Sequence, residues 1–251
     1  MNATYVRIEL FRQSRDVMNL MFAVLMPVAM YVLFGNMFGQ GSETFGNGNV
    51  KFYIMVSMAA YGSAVATTAI AGTAATEAML GWGRQIALTP MKPAGFVACK
   101  IVVAMVVSSA SALAVFLTGA ATGARADEPW LWVASYAITV VGSGVFALYG
   151  MAAGLAFKSE TAIGIASSGM VFFAFFGNVF MPLSGVLLDI AKFTPMYGFV
   201  GLARYPLTEG YLANDTGASD SWGLLMANLV AWILIFAGLA LWAVRRSQAR
   251  K

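Results

Sequence analysis

The sequence predicts an all-α integral membrane protein with six transmembrane helices, and two observations support this fold class. Hydrophobic residues make up 60% of the 251 residues and charged residues 10%, against about 45–50% and about 25% in soluble domains. Six stretches without any charged residue, at 17–42, 52–76, 101–124, 129–157, 161–188 and 221–244, each exceed the roughly 20 residues that cross a hydrocarbon core. A soluble protein has too few charges here to cover its surface.

We predict one transmembrane domain over residues 1–251, with an interfacial helix at 1–16. The apolar window 193–203 is too short to span a membrane and too apolar for an ordinary loop, which favours a re-entrant segment over 183–206, or else a loop that lies on the lipid. A cytoplasmic segment is predicted at 77–94. The predicted spans are 17–38, 52–76, 97–120, 130–157, 161–182 and 222–244.

The basic residues predict the orientation of these spans. If the N-terminus is cytoplasmic, eleven Lys and Arg residues lie inside and four outside. This asymmetry follows the positive-inside rule, so both termini are expected in the cytoplasm, with the chain multi-pass in the cell membrane. Because the basic residues separate apolar runs and form no basic face, nucleic acid is not an expected partner.

The residue types exclude most catalytic chemistry. The chain has no histidine and a single cysteine, Cys99, so no metal site or His-based catalysis is expected. No ionisable residue lies inside the six windows, and only Lys100 lies near an edge, which argues against ion-coupled carriers. No P-loop motif is present. We expect a non-enzyme that binds no cofactor, so energy for any transport must come from another chain.

Two spans carry distinctive side chains. The second is rich in small residues, and Gly35–Gly39 and Gly150–Gly154 are G-x-x-x-G pairs, typical of close packing within a chain or between chains. The fifth is aromatic around one amide, which favours either an apolar substrate path or a surface that faces lipid. The residues concerned are Phe172, Phe173, Phe176, Asn178, Phe180 and Met181.

The cytoplasmic segment has helical spacing and a defined end. Glu77, Gly81, Arg84 and Leu88 recur every three or four residues, with Gln85 beside them. Pro90 ends the pattern, because the residue before a proline avoids helical geometry. The segment is either a short helix that docks a soluble partner or a solvated turn with basic topology anchors.

In their order and spacing these features resemble the type-2 permeases of ATP-binding-cassette (ABC) exporters of the multidrug and antibiotic-resistance type. The resemblance covers nearly the whole chain. It rests on the charged N-terminal helix, the six spans, the segment from Glu77 to Pro90, and the outer stretch FMPLSG (180–185), TPMY (194–197) and LAR (202–204).

The resemblance implies that two permease subunits, identical or different, pair around a path lined by the second and fifth spans. Tyr61 joins the candidates for that path. Separate ATPase subunits, which would carry ATP and Mg²⁺, would dock on the N-terminal helix and on the coupling residues Glu77, Gly81, Arg84, Gln85, Leu88 and Pro90.

The expected substrates are apolar drugs, antibiotics or lipids, and membrane lipids are further expected partners. Three alternatives remain open. The chain could serve an exporter of polysaccharide or glycolipid, act as an ATPase-independent channel or carrier, or be a membrane scaffold without transport.

Overall fold

The computed structural model describes residues 3–37, 43–77, 93–157, 160–213 and 218–248. Within these ranges every regular element is a helix, with three isolated β-bridges between loops. The elements are α1 (Ala3–Arg15), α2 (Val17–Leu20), a π-helical turn (Met21–Leu25), α3 (Met26–Met37), α4 (Val50–Glu77), α5 (Pro93–Thr122), α6 (Pro129–Gly142), α7 (Gly144–Phe157), α8 (Glu160–Phe176), α9 (Gly185–Ala191), α10 (Pro195–Thr208) and α11 (Trp222–Gln248).

Helix α4 occupies the centre of the bundle. In its most apolar stretch 89% of the residues are buried inside the protein, against 17% in the corresponding stretch of α11. The small residues of α4 allow neighbouring backbones to approach closely. A Cβ atom at Gly150 or Gly154 of α7 would meet the carbonyl oxygens of Thr68 and Gly72, respectively. This G-x-x-x-G pair therefore packs inside the chain, whereas Gly39 of the other pair lies outside the described residues.

Four helical stretches in the described ranges are long and apolar enough to cross a membrane: Val50–Glu77, Ala98–Thr122, Pro129–Ala156 and Trp222–Ala243. The third of these stretches comprises α6 and α7 together. Helices α9 and α10, bent by 94° at a short break, add a fifth if they form one span. The first and fifth predicted spans correspond to shorter apolar helices, Met21–Met37 and Gly164–Phe176. The all-helical class and four to five candidate spans are thus supported, while six spans remain a prediction.

A proline explains why the first apolar segment is irregular. Pro27 has no N–H with which to bond the carbonyl of Ala23, four residues before it. The hydroxyl of Ser111 in α5 donates to this carbonyl instead. Gly62 of α4 makes room for the contact, because a Cβ there would strike both the Pro27 ring and Ser111 Oγ. The adjacent π-helical turn is thus fixed against two neighbouring helices.

Helix α11 holds the break between α9 and α10. Asn228 Nδ2 donates to the carbonyl of Lys192 at 2.7 Å, and Trp232 Nε1 donates to that of Phe193 at 3.0 Å. These carbonyls lie at the end of α9, where no further helical turn supplies a donor. The bend is therefore a fixed feature; its place as a re-entrant segment in the membrane remains a prediction.

Candidate functional site

Four charged side chains meet where α1, the end of α4 and the start of α5 come together, at what we call the α1 end of the bundle. Lys100 Nζ lies 2.7 Å from Glu9 Oε1 and 2.7 Å from Glu77 Oε2. Arg12 Nη2 lies 2.7 Å from Glu9 Oε1 and 2.5 Å from Glu77 Oε1. Each cation thus contacts both carboxylates, and we call this closed cluster of Glu9, Arg12, Glu77 and Lys100 the ion network.

The ion network is largely withdrawn from solvent. The side chains of Lys100 and Glu9 are each 5% exposed and that of Glu77 is 14% exposed, whereas Arg12 is 45% exposed at the edge. Two cations and two anions balance, as buried charges require. The closed arrangement is therefore electrically neutral without an outside partner.

The carboxylates also perturb the groups around them on α1. Partial burial of Arg12 opposes its charge, but its hydrogen bonds and attraction to Glu77 and Glu9 prevail and raise the pKa of the guanidinium. Burial, reinforced by the negative charges of Glu9 and Glu77, raises the pKa of Tyr5 to about 12. Tyr5 is consequently neutral at physiological pH, and its ring packs near that of Phe96, with centroids 6.0 Å apart.

The ion network joins elements that are distant in the chain. Glu77 is the last residue of α4, and Lys100 lies in the second turn of α5, so the two flank the 78–92 segment. Glu9 and Arg12 belong to α1. The ion pairs therefore link α1 to both α4, the central helix, and α5.

Among the predicted coupling residues, the structure places only Glu77, which lies in the ion network. Gly81, Arg84, Gln85, Leu88 and Pro90 lie outside the described residues. Glu9 and Lys100 were not predicted as site residues. The available signal was Lys100 itself, a charge at the edge of an apolar run.

A cavity of about 740 Å³ adjoins the ion network, between α1, the π-helical turn, α4 and α8. Arg12 and Glu77 line one end, and Tyr61, Phe22 and Met26 line it further along the chain. Its volume falls within the roughly 300–1,000 Å³ typical of small-molecule sites. Of the residues predicted for a substrate path, only Tyr61 lines this cavity.

The remaining predicted path residues do not form one surface. Phe172, Phe176 and Met181 are exposed at 67%, 43% and 52%, respectively. Phe173 packs on the ring of Tyr149, with centroids 5.5 Å apart. Phe180 is buried, and its ring lies 5.2 Å from that of Tyr61. Phe180 therefore packs against Tyr61, whereas Phe172 and Phe176 are exposed on α8.

Asn178 has a local structural function. It is buried with a positive φ of 60°, and its Oδ1 accepts from the backbone N–H of Leu183 at 2.8 Å. This bond closes the turn that follows α8. The backbone carbonyl of Asn178 accepts a hydrogen bond from Arg204 Nη1 at 2.8 Å.

Arg204 of α10 is the buried cation at the opposite end of α4. Its guanidinium donates to Ser57 Oγ at 2.6 and 2.8 Å and to the carbonyl of Val179 at 3.1 Å, and it lies 4.0 Å above the Tyr53 ring. It thereby ties α10 to α4 and to the turn after α8. The sequence places Arg204 in the LAR stretch (202–204) but does not predict these contacts.

No protein-family model matches the chain. Among known proteins, YvfS of Bacillus subtilis (strain 168), named as a candidate transport permease, is 26% identical over 253 aligned residues that cover 96% of each chain. This similarity over nearly the full length, together with the long apolar helices, supports a membrane protein with a transport-permease role.

Proposed function

We propose that the chain is the membrane-spanning permease subunit of an ATP-driven exporter of the ABC type. The observation that carries the proposal is the ion network, which joins α1 to both helices that flank the 78–92 segment. A permease without a P-loop needs such a connection, because energy released on a separate ATPase must reach its transmembrane helices as movement.

In this proposal the α1 end faces the cytoplasm of a cell whose plasma membrane holds the protein. The excess of Lys and Arg in the connections on that side supports this orientation. The ATPase subunits, with ATP and Mg²⁺, dock on α1 and on the coupling residues from Glu77 to Pro90. A closing ATPase dimer then displaces α1, and the ion network transmits the displacement to α4 and α5.

A second permease subunit completes the transport path, and the cargo is an apolar drug, antibiotic or lipid. The cavity beside α4 supports a small-molecule cargo, because its size suits a drug-sized ligand and apolar side chains form much of its wall. Multidrug or antibiotic export is the form of this function that we propose.

Co-purification tests the proposal directly. The tagged full chain is extracted from its native membrane in several mild detergents, and proteins that purify with it in fixed stoichiometry are identified. An unrelated tagged membrane protein from the same cells serves as the control for non-specific capture. We expect a soluble chain that carries a P-loop. Recovery of the chain alone, or only with copies of itself, in every detergent would contradict the proposal.

A further inference from the structure

The residues that line the 740 Å³ cavity change in polarity along one row of side chains on α4. Tyr61, Val65, Ala69, Thr73 and Glu77 all line the cavity and follow one another at intervals of four residues. Residues four apart are neighbours on a helix, and a row of them winds slowly around it, by about 40° per step at 3.6 residues per turn. The stripe covers about 24 Å at 1.5 Å per residue, and it runs from an aromatic ring through aliphatic groups and a hydroxyl to a carboxylate.

Helix α8 repeats this gradient on the facing wall. Ser167 and Ser168 line the cavity at the middle of α8, and Val171 lines it one turn further. Ser168 is exposed and lines the cavity, so its hydroxyl can donate to the polar part of a bound molecule.

The N-terminal segment provides the third wall with the same order. Arg12, Gln13 and Asp16 line the charged end, and Phe22 and Met26 line the apolar end. Three elements that are distant in the chain therefore each change from polar or charged residues to apolar ones along the cavity wall. An entirely apolar ligand would leave the polar end unmatched, and an entirely polar ligand would leave the aromatic end unmatched.

We infer that this cavity binds an amphiphile, with its polar head beside Arg12, Asp16 and Glu77 and its apolar tail along Val65 towards Tyr61. The inference deepens the proposed function, since it rests on that function for the role of the bound molecule as cargo. The binding itself does not depend on any ATPase. The shared chemistry fits either a phospholipid of the membrane or a free single-chain amphiphile.

Photolabelling of the purified full chain in nanodiscs, without any ATPase, tests the inference. Two series of probes carry a diazirine either near the head or near the end of an alkyl chain. One series is a diacyl phosphatidylcholine, and the other is a single-chain alkyl phosphocholine. We expect head-proximal diazirines to label the level of Thr73 and Ser168, and tail-end diazirines to label the level of Tyr61 and Met26.

The variant Ala69→Trp fills the middle of the cavity, and Leu117→Trp, on an exposed position of α5, is the matched control. We expect Ala69→Trp to reduce cavity labelling about tenfold or more, the effect of about 1.4 kcal/mol in binding, and Leu117→Trp to leave it unchanged. Labelling by the diacyl series identifies membrane lipid as the occupant, and labelling by the single-chain series alone identifies a free amphiphile.

Two results would overturn the inference. One is wild-type labelling that shows no dependence on the depth of the diazirine, and the other is depth-ordered labelling that Ala69→Trp and Leu117→Trp leave equally intact. Because the depth pattern is read on the wild-type chain, the test stands even if Ala69→Trp fails to fold. If no ATPase co-purifies with the chain, the photolabelling results are unaffected. The two proposals can therefore fail separately.

Discussion

Lys100 Nζ lies 2.7 Å from Glu77 Oε2 and joins the end of α4 to the start of α5 across the 78–92 segment. The same ammonium contacts Glu9 of α1, 91 residues away in the chain. A single buried cation thus holds three elements together at the α1 end.

Replacement of this cation is expected to destabilise the protein strongly. Lys100→Met leaves Glu9 and Glu77, both largely buried, with Arg12 as their remaining cation. Loss of one partner from a buried ion pair costs about 3–5 kcal/mol, so the thermal unfolding temperature in detergent should fall markedly. The matched control is Lys192→Met, which removes an exposed pair with Asp189 worth about 0–1 kcal/mol. Equal unfolding temperatures for the two variants would show that the ion network does not stabilise the fold.

The buried guanidinium of Arg204 should not tolerate replacement by lysine. The planar guanidinium donates in several directions, to Ser57 Oγ and to the carbonyls of Asn178 and Val179. A single ammonium cannot reproduce this pattern. We expect Arg204→Lys to lose at least about 2 kcal/mol, since each hydrogen bond to a charged group contributes about 1.5–3 kcal/mol. Chemical unfolding of this variant and of Arg125→Lys, at an exposed site, provides the comparison. A loss no larger than that of Arg125→Lys would contradict the assigned contacts.

The packing of α7 against α4 predicts opposite outcomes for two glycines. Gly154→Ala drives a methyl group into the carbonyl of Gly72, whereas Gly238→Ala of α11 meets nothing within 4 Å. We expect Gly154→Ala to destabilise by about 1–3 kcal/mol and Gly238→Ala to be neutral or to stabilise by up to about 1 kcal/mol. Thermal unfolding of both variants measures the difference, and destabilisation of the two by the same amount would argue against the close approach.

The contact between Ser111 and the first apolar segment can be tested by a double-mutant cycle. Ser111→Ala leaves the Ala23 carbonyl without its donor and should cost about 1–3 kcal/mol. In a Pro27→Ala background the restored N–H of residue 27 can bond the same carbonyl, so the cost of Ser111→Ala should fall. The four unfolding free energies give the coupling between the two positions. Additive effects would mean that Ser111 does not replace the bond lost at Pro27.

The sequence predicted what depends on long apolar runs and missed what depends on contacts between distant residues. Four of the predicted spans coincide with helices of sufficient length and apolarity, because a long charge-free run favours a spanning helix. The charge-free runs at 17–42 and 161–188 contain shorter apolar helices instead. The first span is less regular than predicted, since the effect of Pro27 is set by Ser111, 88 residues from Ala23.

The sequence predicts only part of the candidate site, because the rest of the site depends on contacts between distant residues. Glu77 was selected by its spacing in the coupling segment, but its partners Glu9 and Lys100 looked like ordinary charges at the ends of apolar runs. Arg204 likewise resembled a topology anchor, because its acceptors at Asn178 and Val179 are backbone carbonyls created by a turn. Tyr61 was the predicted path residue that the structure places in the cavity.

Reconstitution of the complex in proteoliposomes tests most directly whether the ion network couples a separate ATPase to transport, as we propose. ATP hydrolysis and ATP-dependent movement of a fluorescent alkyl phosphocholine are measured together for wild type, Lys100→Met and Lys192→Met, at a temperature at which all three remain folded. We predict that wild type and Lys192→Met move the probe when ATP is hydrolysed, whereas Lys100→Met hydrolyses ATP without moving it. Movement of the probe by the wild-type chain without any ATPase, or undiminished ATP-dependent movement by Lys100→Met, would contradict the account.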